Sequence, residues 1–539
     1  MDLEDSLRTQ SMNVNLLINS IKNSDEMENQ LRNIYGEDLD LIRERKNAYL
    51  NTLSYFKKTF GEGKVILIRT PARINLMGVH IEHRGGYTNY LSIGKEIITV
   101  AEKRDDNRVI IRNVDKKYPA REFNIQEEIP PEKRGDWIKF IKETKIVPGD
   151  WSNYVRAAIF ALQNRFPKIN LKGMNLIFNG NIPPSAGLSS SSAMVVATAL
   201  AVLNLNKLVI SREELVRLCG EGEWYVGTRG GWGDHAAMVY GKRNYISHLR
   251  FFPFEINFIP FPSEFCVISC NSLVEASKSV GAKSIFNERV ATYEIALMFI
   301  KKNFPFLKRI RYLRDINCDY LKKGEDFIYK ILKSLPEKIT RKELLRELPE
   351  HENELKELFK THKEPERGYK VRAVCLFGLA ECERAKICVK FLENGEMEKF
   401  GELMYISHNG DRVVSYNEEG KKRAWDNSVD DEKLNKLIED ARSKDPERLM
   451  QARLYRQPGG YGCSCEELDF IVDTARRIKG VLGAGLTGGG LGGCVLILAK
   501  KDKAEEIINQ ITREYYHPRN LKPAIDICIP VEGAGILSF

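Results

Sequence analysis

Cysteine pairs at metal spacing, long apolar runs and blocks of like charge are all missing from this chain. Its 539 residues include 11 Cys and 8 His, and no Cys-x-x-Cys occurs. Cys463 and Cys465 would share a face of a strand, but they do not make a zinc site. The expectation is eleven reduced thiols, mostly small core residues, in a reducing cytosol. No run approaches the roughly 18 apolar residues of a membrane span. The opening MDLEDSLRTQSMNVN lacks the basic-then-apolar pattern of a secretory signal. His-Glu-x-x-His and the nucleophile elbow are absent, which removes zinc hydrolysis and serine esterase chemistry.

Lys plus Arg is 83 and Asp plus Glu is 74, a surplus of 83 − 74 = +9. No block of five or six basic residues concentrates it; the densest stretches are RIRYLR at 309–314 and KKR at 421–423. Neither a nucleic acid nor a membrane is an expected partner, whereas small anionic substrates suit so mild a surplus. With 43% hydrophobic and 29% charged residues, the composition is that of a globular protein.

Residues 1–60 read as a helical lead-in ending at Phe60-Gly61. KVILIR (64–69) is a short apolar strand, and ITVAEKRDDNRVIIRNV (98–114) reads as a hairpin turning at Asp105–Asn107. Asp150 caps a helix over 150–166, GMNLIFNG (173–180) is a strand, and 193–205 is a very apolar helix. Ser211 and Glu214 form a capping box for the next helix, which runs to about Tyr225. Three prolines among aromatics near 255–265 mark a boundary, giving domains at 61–258 and 259–539. Long helices are expected at 282–302, 340–361 and 369–392. The charged stretch 336–371 reads as a solvated helical decoration, part of a polar insertion near 320–370, and 412–460 reads as a second insertion. The tail returns to mixed α/β, with the strand CVLILAK (494–500) and a final strand near 524–530.

Three loops carry chemistry. The first runs Pro183-Pro-Ser-Ala-Gly-Leu-Ser-Ser-Ser-Ser-Ala193 between a strand and the apolar helix. Gly187 lets backbone approach a phosphate, and Ser189–Ser192 open a helix whose free N–H groups and positive dipole end face one point. The second is Gly483-Ala-Gly-Leu-Thr-Gly-Gly-Gly-Leu-Gly-Gly493. It contains G-x-G-x-x-G, but a strand follows it rather than a helix, so a bend packed against another loop is the better reading than a dinucleotide fingerprint. The Walker pattern is absent. The third, Pro71-Ala-Arg-Ile-Asn-Leu-Met-Gly-Val-His-Ile-Glu-His-Arg-Gly-Gly86, gathers Arg, Asn, two His and Glu around glycines just after a strand, as small-molecule sites do.

In this order the segments resemble the GHMP kinase superfamily, and within it the galactokinase-type sugar kinases. Ala72–Glu82 is similar to the family's first motif, 184–193 to its second and Thr487–Cys494 to its third; Gly230-Gly-Trp-Gly-Asp-His235 resembles a fourth. The resemblance implies an α+β, two-domain GHMP kinase fold, with mostly antiparallel sheets, helices on one side of each and the site between the domains. It implies ATP-dependent phosphorylation of a free sugar, galactose or a close derivative, at the anomeric hydroxyl, with ATP and Mg²⁺ as cofactors. The residues it assigns are Asp234 and Arg73 for catalysis, and His80, Glu82, Gly231 and Asp234 for the sugar. ATP falls to Pro184, Ser185, Gly187, Leu188, Ser189, Ser190, Ser191, Gly488, Gly489 and Gly490, and Mg²⁺ to Ser191, with Ser190 as the alternative ligand. Arg73 would pair with Asp234 and keep it ionised.

Two departures matter. Val79 stands where galactokinases carry Glu, which brings the motif closer to galacturonate kinases, with Arg84 or Arg229 as the partner of a uronate. Gly222 stands where they carry a further Glu, flanked here by Glu221 and Glu223. A galacturonate 1-kinase and a non-catalytic sugar and ATP sensor therefore stay open beside the sugar kinase, and a GHMP kinase with a non-sugar acceptor ranks last.

Overall fold

The computed structural model describes residues 7–227, 230–275 and 280–538. Its larger sheet is built on strand Lys64–Met77, which pairs antiparallel with Thr88–Lys103. Val65 and Leu67 face one side, against Leu31, Tyr35, Tyr49 and Phe56 of the helical lead-in. Ile66 and Ile68 face the other side, in the cluster that holds helix Ser190–Leu205. KVILIR is continuously apolar for this reason: a strand covered on both faces needs no polar alternation. The expectation of helices on one side is corrected here, because the lead-in, three helices at Val14–Asn23, Asp25–Tyr35 and Leu39–Phe60, supplies the second cover.

The expected hairpin over 98–114 does not form. Strand Met174–Gly180 inserts between its arms, antiparallel to Thr88–Lys103 and parallel to Arg108–Asn113. Asp105–Asn107 does reverse the chain, but adjacency in a sheet is decided by distant partners, which a turn signal does not report.

A second, four-stranded antiparallel sheet runs Val481–Leu486, Cys494–Lys500, Phe265–Asn271, Ile525–Cys528. Cys266, Ile268, Val495 and Ile497 pack on helices Glu466–Arg476 and Ala504–Ile511. Val267, Leu496 and Leu498 face the opposite side, in the cluster that holds Phe400 and Met404 of helix Met397–Asp411. Strand Glu255–Pro260 still belongs to the first sheet, and Gly535–Ile536 returns to it beside Arg69 and Ile68. The change of sheet thus falls between 260 and 265, and the last residues of the chain rejoin the first sheet.

The stretch 320–370 is more than a solvated decoration. Ile328, Leu332, Leu344, Leu348 and Leu355 are buried in one cluster with Tyr293 and Phe377. The single helix expected over 340–361 is two, Arg341–Glu347 and Glu352–Phe359, interrupted at Pro349. All eleven cysteines are free thiols and nine are buried. Among the described residues, no helix is long and apolar enough to cross a membrane.

Candidate functional site

Helix Ser190–Leu205 is apolar on almost every side and sits in the core, so its amino end is fixed relative to the sheet. Ser189 opens it in a left-handed conformation, φ 58° and ψ 51°. Gly187, at φ +77°, meets the second glycine loop backbone to backbone. A Cβ at Gly187 would lie 2.7 Å from the Thr487 carbonyl oxygen, and one at Gly488 would lie 2.8 Å from Gly187 Cα. The reading of the 483–493 loop as a bend packed on another loop is what the structure contains. Gly490 is pressed under Cys463, whose carbonyl oxygen a Cβ would meet at 2.0 Å, while Gly489 faces open space. Thr487 Oγ1 accepts from Asn75 N at 3.1 Å, tying this loop to the strand that carries Arg73.

Arg73 reaches both sides of this junction. Its Nη1 donates to the Gly187 carbonyl oxygen at 2.6 Å, while Nε and Nη2 each donate to a carboxylate oxygen of Asp234 at 2.7 Å. Ser189 Oγ donates to the same carboxylate. Burial would raise the pKa of Asp234, but the Arg73 charge and these bonds hold it below the ordinary aspartate value. The Asp234 side chain is 28% exposed and Arg73 5%, so the pair forms a wall open on the carboxylate side.

Asp234 lies in the first turn of helix Gly233–Tyr240. The amino end of that helix is capped by Glu82, whose Oε1 accepts from Trp232 N and, at 2.7 Å, from Gly233 N. Gly231 and Gly233 make room for it: a Cβ at either would collide with the Glu82 carboxylate, at 1.9 and 2.4 Å. Gly231 is therefore required by Glu82. Burial, then the Asp234 charge, push the Glu82 carboxyl up to about 7 against the two backbone bonds.

The other expected residues divide. Pro184 is exposed; Ser185, at φ 57°, and Ser190 and Ser191 are half-buried around the helix start, and Leu188 is core. Ser192 Oγ donates to Glu223 Oε1 at 3.0 Å. Gly222 turns instead to a neighbouring helix, where a Cβ would lie 3.2 Å from the Ala157 carbonyl oxygen. The residue after the expected position thus brings a carboxylate beside the serine loop. Glu223 was visible only as a flanking acid.

His80 does not join this group. Its side chain is 2% exposed, its ring stacks on Tyr461 at 4.3 Å between centroids, and its Nε2 lies 3.4 Å from Asp411 Oδ2. Val79 is buried in the apolar cluster of Phe377 and Tyr461 and also lines a small void beside His408 and Asp411. Arg84 is already paired with Glu294 and lies over the Tyr293 ring. Arg229 lies outside the described residues. The sequence also left unread the buried pair Glu381–Arg384: Glu381 Oε1 accepts from Gly78 N and Val79 N at 2.8 and 3.2 Å, holding the third loop from behind.

Family models match three stretches of the chain: the GHMP kinases N terminal domain over residues 153–242, the GHMP kinases C terminal over 436–517, and the galactokinase galactose-binding signature over 54–103. A galactokinase from Dictyostelium discoideum is 27% identical over 489 residues, covering 88% of this chain and 90% of the relative. One from Fusobacterium nucleatum is 26% identical over 490 residues, covering 90% and 98%. The structure of Lactococcus lactis galactokinase complexed with galactose superposes with a TM-score of 0.64 at 22% identity, covering 90% of this chain and 98% of that one.

Proposed function

We propose, from its likeness to the GHMP kinases N terminal and C terminal domains and to the galactokinase galactose-binding signature, that the chain transfers the γ-phosphoryl group of ATP to the anomeric C1 hydroxyl of galactose, giving galactose 1-phosphate and ADP. The observation that carries the reading is the Arg73–Asp234 pair, set between two glycine loops that approach backbone to backbone. Phosphoryl transfer asks mainly for positioning and charge neutralisation, and this arrangement offers both.

The triphosphate lies against the amino end of helix Ser190–Leu205, with the N–H groups around Ser189–Ser191 and Gly489 toward its oxygens. The sugar hydroxyl hydrogen-bonds to Asp234. As the C1 oxygen bonds to the γ-phosphorus, the bond from phosphorus to the bridging ADP oxygen breaks, the electron pair leaving with ADP, and the hydroxyl proton passes to an oxygen of the transferred phosphoryl group and on to water. A carboxylate gripped on both oxygens by Arg73 is a weak base. Asp234 therefore works mainly by orienting the hydroxyl and holding Arg73 beside the charge that develops. Glu82 fixes the helix that carries Asp234 and flanks the sugar.

Ser191 and Glu223, with Ser192, fit Mg²⁺: hydroxyl and carboxylate oxygens suit a hard cation, and Glu223 stands within hydrogen-bond reach of the serine loop. When bound, the ion would neutralise phosphate charge. Among the described residues no three His, Cys, Asp or Glu side chains cluster as a metal site, so phosphates and water would complete its shell.

An ADP-release assay over galactose, N-acetylgalactosamine, galacturonate, glucuronate and arabinose tests the proposal. Turnover is expected with galactose. Turnover with galacturonate alone would replace galactose as the substrate, although Val79 and Arg84 are both engaged elsewhere. Sugar binding without turnover on any of the five would leave a sensor.

A further inference from the structure

The structure assigns Asp411 as a positioning residue that braces the sugar loop, 78–86, against the glycine loop, 487–493, so that each responds to occupancy of the other. The inference rests on the kinase reading for the identity of the two ligands, but its geometry does not depend on that reading.

Asp411 ends helix Met397–Asp411, is wholly buried and belongs to none of the motifs that pointed to the site. It faces the first loop directly and reaches the second through Cys463. Its Oδ2 faces His80 Nε2 at 3.4 Å, longer than a normal hydrogen bond, and neither atom has a closer polar partner. Its Oδ1 accepts from Cys463 N at 3.2 Å, and its carbonyl oxygen accepts from Ser464 N at 2.9 Å. Cys463 continues the path. Its carbonyl oxygen accepts from Leu491 N at 2.7 Å and presses on Gly490, where no Cβ fits. His80 to Asp411 to Cys463 to Leu491 is thus a line of contacts between the two loops whose first step is the long one, while Asn75 and Thr487 join their roots.

Two features make the line responsive. His80 holds φ at +63°, a costly conformation for a side chain with a Cβ, which persists only where the surroundings enforce it. Beside the contact a small void of about 10 Å³, between Asn75, Val79, His408 and Asp411, leaves space for the loop to settle by a fraction of an ångström. A long contact between two buried polar groups can shorten when a ligand presses on either loop, as site hydrogen bonds do on binding. His80, on this account, supports the sugar loop from behind.

Amide hydrogen exchange on the free protein and binding of a non-hydrolysable ATP analogue, with and without galactose, test the brace. In wild type, galactose is expected to change affinity for the analogue at least about fivefold, the low end of coupling between sites. Asp411→Ala removes both contacts. It should speed exchange at Leu491 and at Gly78–Val79 alike and bring the coupling close to one. Asp411→Asn keeps an acceptor for Cys463 N and should speed exchange mainly in the sugar loop. If the alanine variant does not fold, Asp411→Asn and His80→Gln carry the test, and their double variant should do no more than either alone. Exchange altered only at 411 and 463–464, coupling intact in Asp411→Ala, or no coupling in wild type would each overturn the brace. Failure to phosphorylate any sugar with the exchange pattern as expected would instead remove the kinase reading and leave the brace standing.

Discussion

Strand Lys64–Met77 carries two arginines, Arg69 and Arg73, and each meets a carboxylate, yet the two sites are opposite in design. Arg69 Nε donates to Glu96 Oε2 at 3.0 Å, and Glu96 also accepts from Tyr35 and Tyr49, which the helical lead-in lays over it. Both side chains are sealed, at 1% and 0% exposure. Arg69 spends Nη1 on the carbonyl oxygens of Glu532 and Gly533, so this cluster ties the lead-in, the sheet and the returning tail together. Arg73 and Asp234 have the bidentate geometry but keep one side open, with Asp234 28% exposed. An arginine–carboxylate pair is sealed in one place and keeps one carboxylate side open to solvent in the other.

The sharpest way to break that contrast is to remove one carboxylate charge at each site. Asp234→Asn should lower kcat by about 10³-fold or more while the ATP affinity moves little, and it should cost less stability than the loss of Glu96 because the Asp234 side of the pair is 28% exposed. Near-normal turnover would take Asp234 out of the mechanism. Glu96→Gln should do the reverse. It leaves Arg69 buried without its counter-ion and should cost about 3–5 kcal/mol in chemical denaturation, with kcat per folded molecule unchanged. A Glu96→Gln variant that lost turnover and kept its stability would erase the distinction.

The junction of the glycine loops should fall between these two. At Gly488, φ is +77° and a Cβ would meet Gly187 Cα at 2.8 Å, so Gly488→Ala must push the two loop backbones away from each other. The expected cost is about 2–3 kcal/mol, with weaker binding of the ATP analogue by isothermal titration. Gly489→Ala, which points its Cβ into open space, is the control and should fold as wild type. Equal damage from both would mean that flexibility, rather than close approach, is what the loop requires.

What the sequence disclosed follows the range of the interactions. The serine loop, its core helix and the Arg73–Asp234 pair were legible because dense short motifs name them. The place of strand Met174–Gly180 between Thr88–Lys103 and Arg108–Asn113 was not, since it is set by pairing between segments far apart in the chain. The apolar core within 320–370 was hidden by surface charge: Leu344, Leu348 and Leu355 are buried singly among Lys and Glu. Glu82 was read as a sugar ligand from its motif, but its capping of Gly233 needed the fold, because the cap and its helix come from separate loops. Asp411 had no local signal, since a lone acid at a helix end is ordinary.

The smallest expected effect separates the two carboxylates of the open site itself. Asp234 is held below the ordinary aspartate range by Arg73 against its burial, so it stays ionised across the working range of pH. Glu82 is pushed from 4.5 to about 7 by its burial and by Asp234, so it titrates where the enzyme would work. The folded chain then holds a proton that an unfolded glutamate has lost. The stability linked to Glu82 is therefore present below pH 4.5 and falls as pH rises through about 7. Sugar binding should follow the opposite sign. Only the ionised Glu82 carries a full charge at the amino end of the Asp234 helix, an interaction of about 0.3–1 kcal/mol. kcat/KM for galactose should accordingly drop about two- to fivefold as pH falls through about 7, and Glu82→Gln should flatten that limb. A limb unchanged in Glu82→Gln would assign it to another group and leave the cap as a structural contact alone.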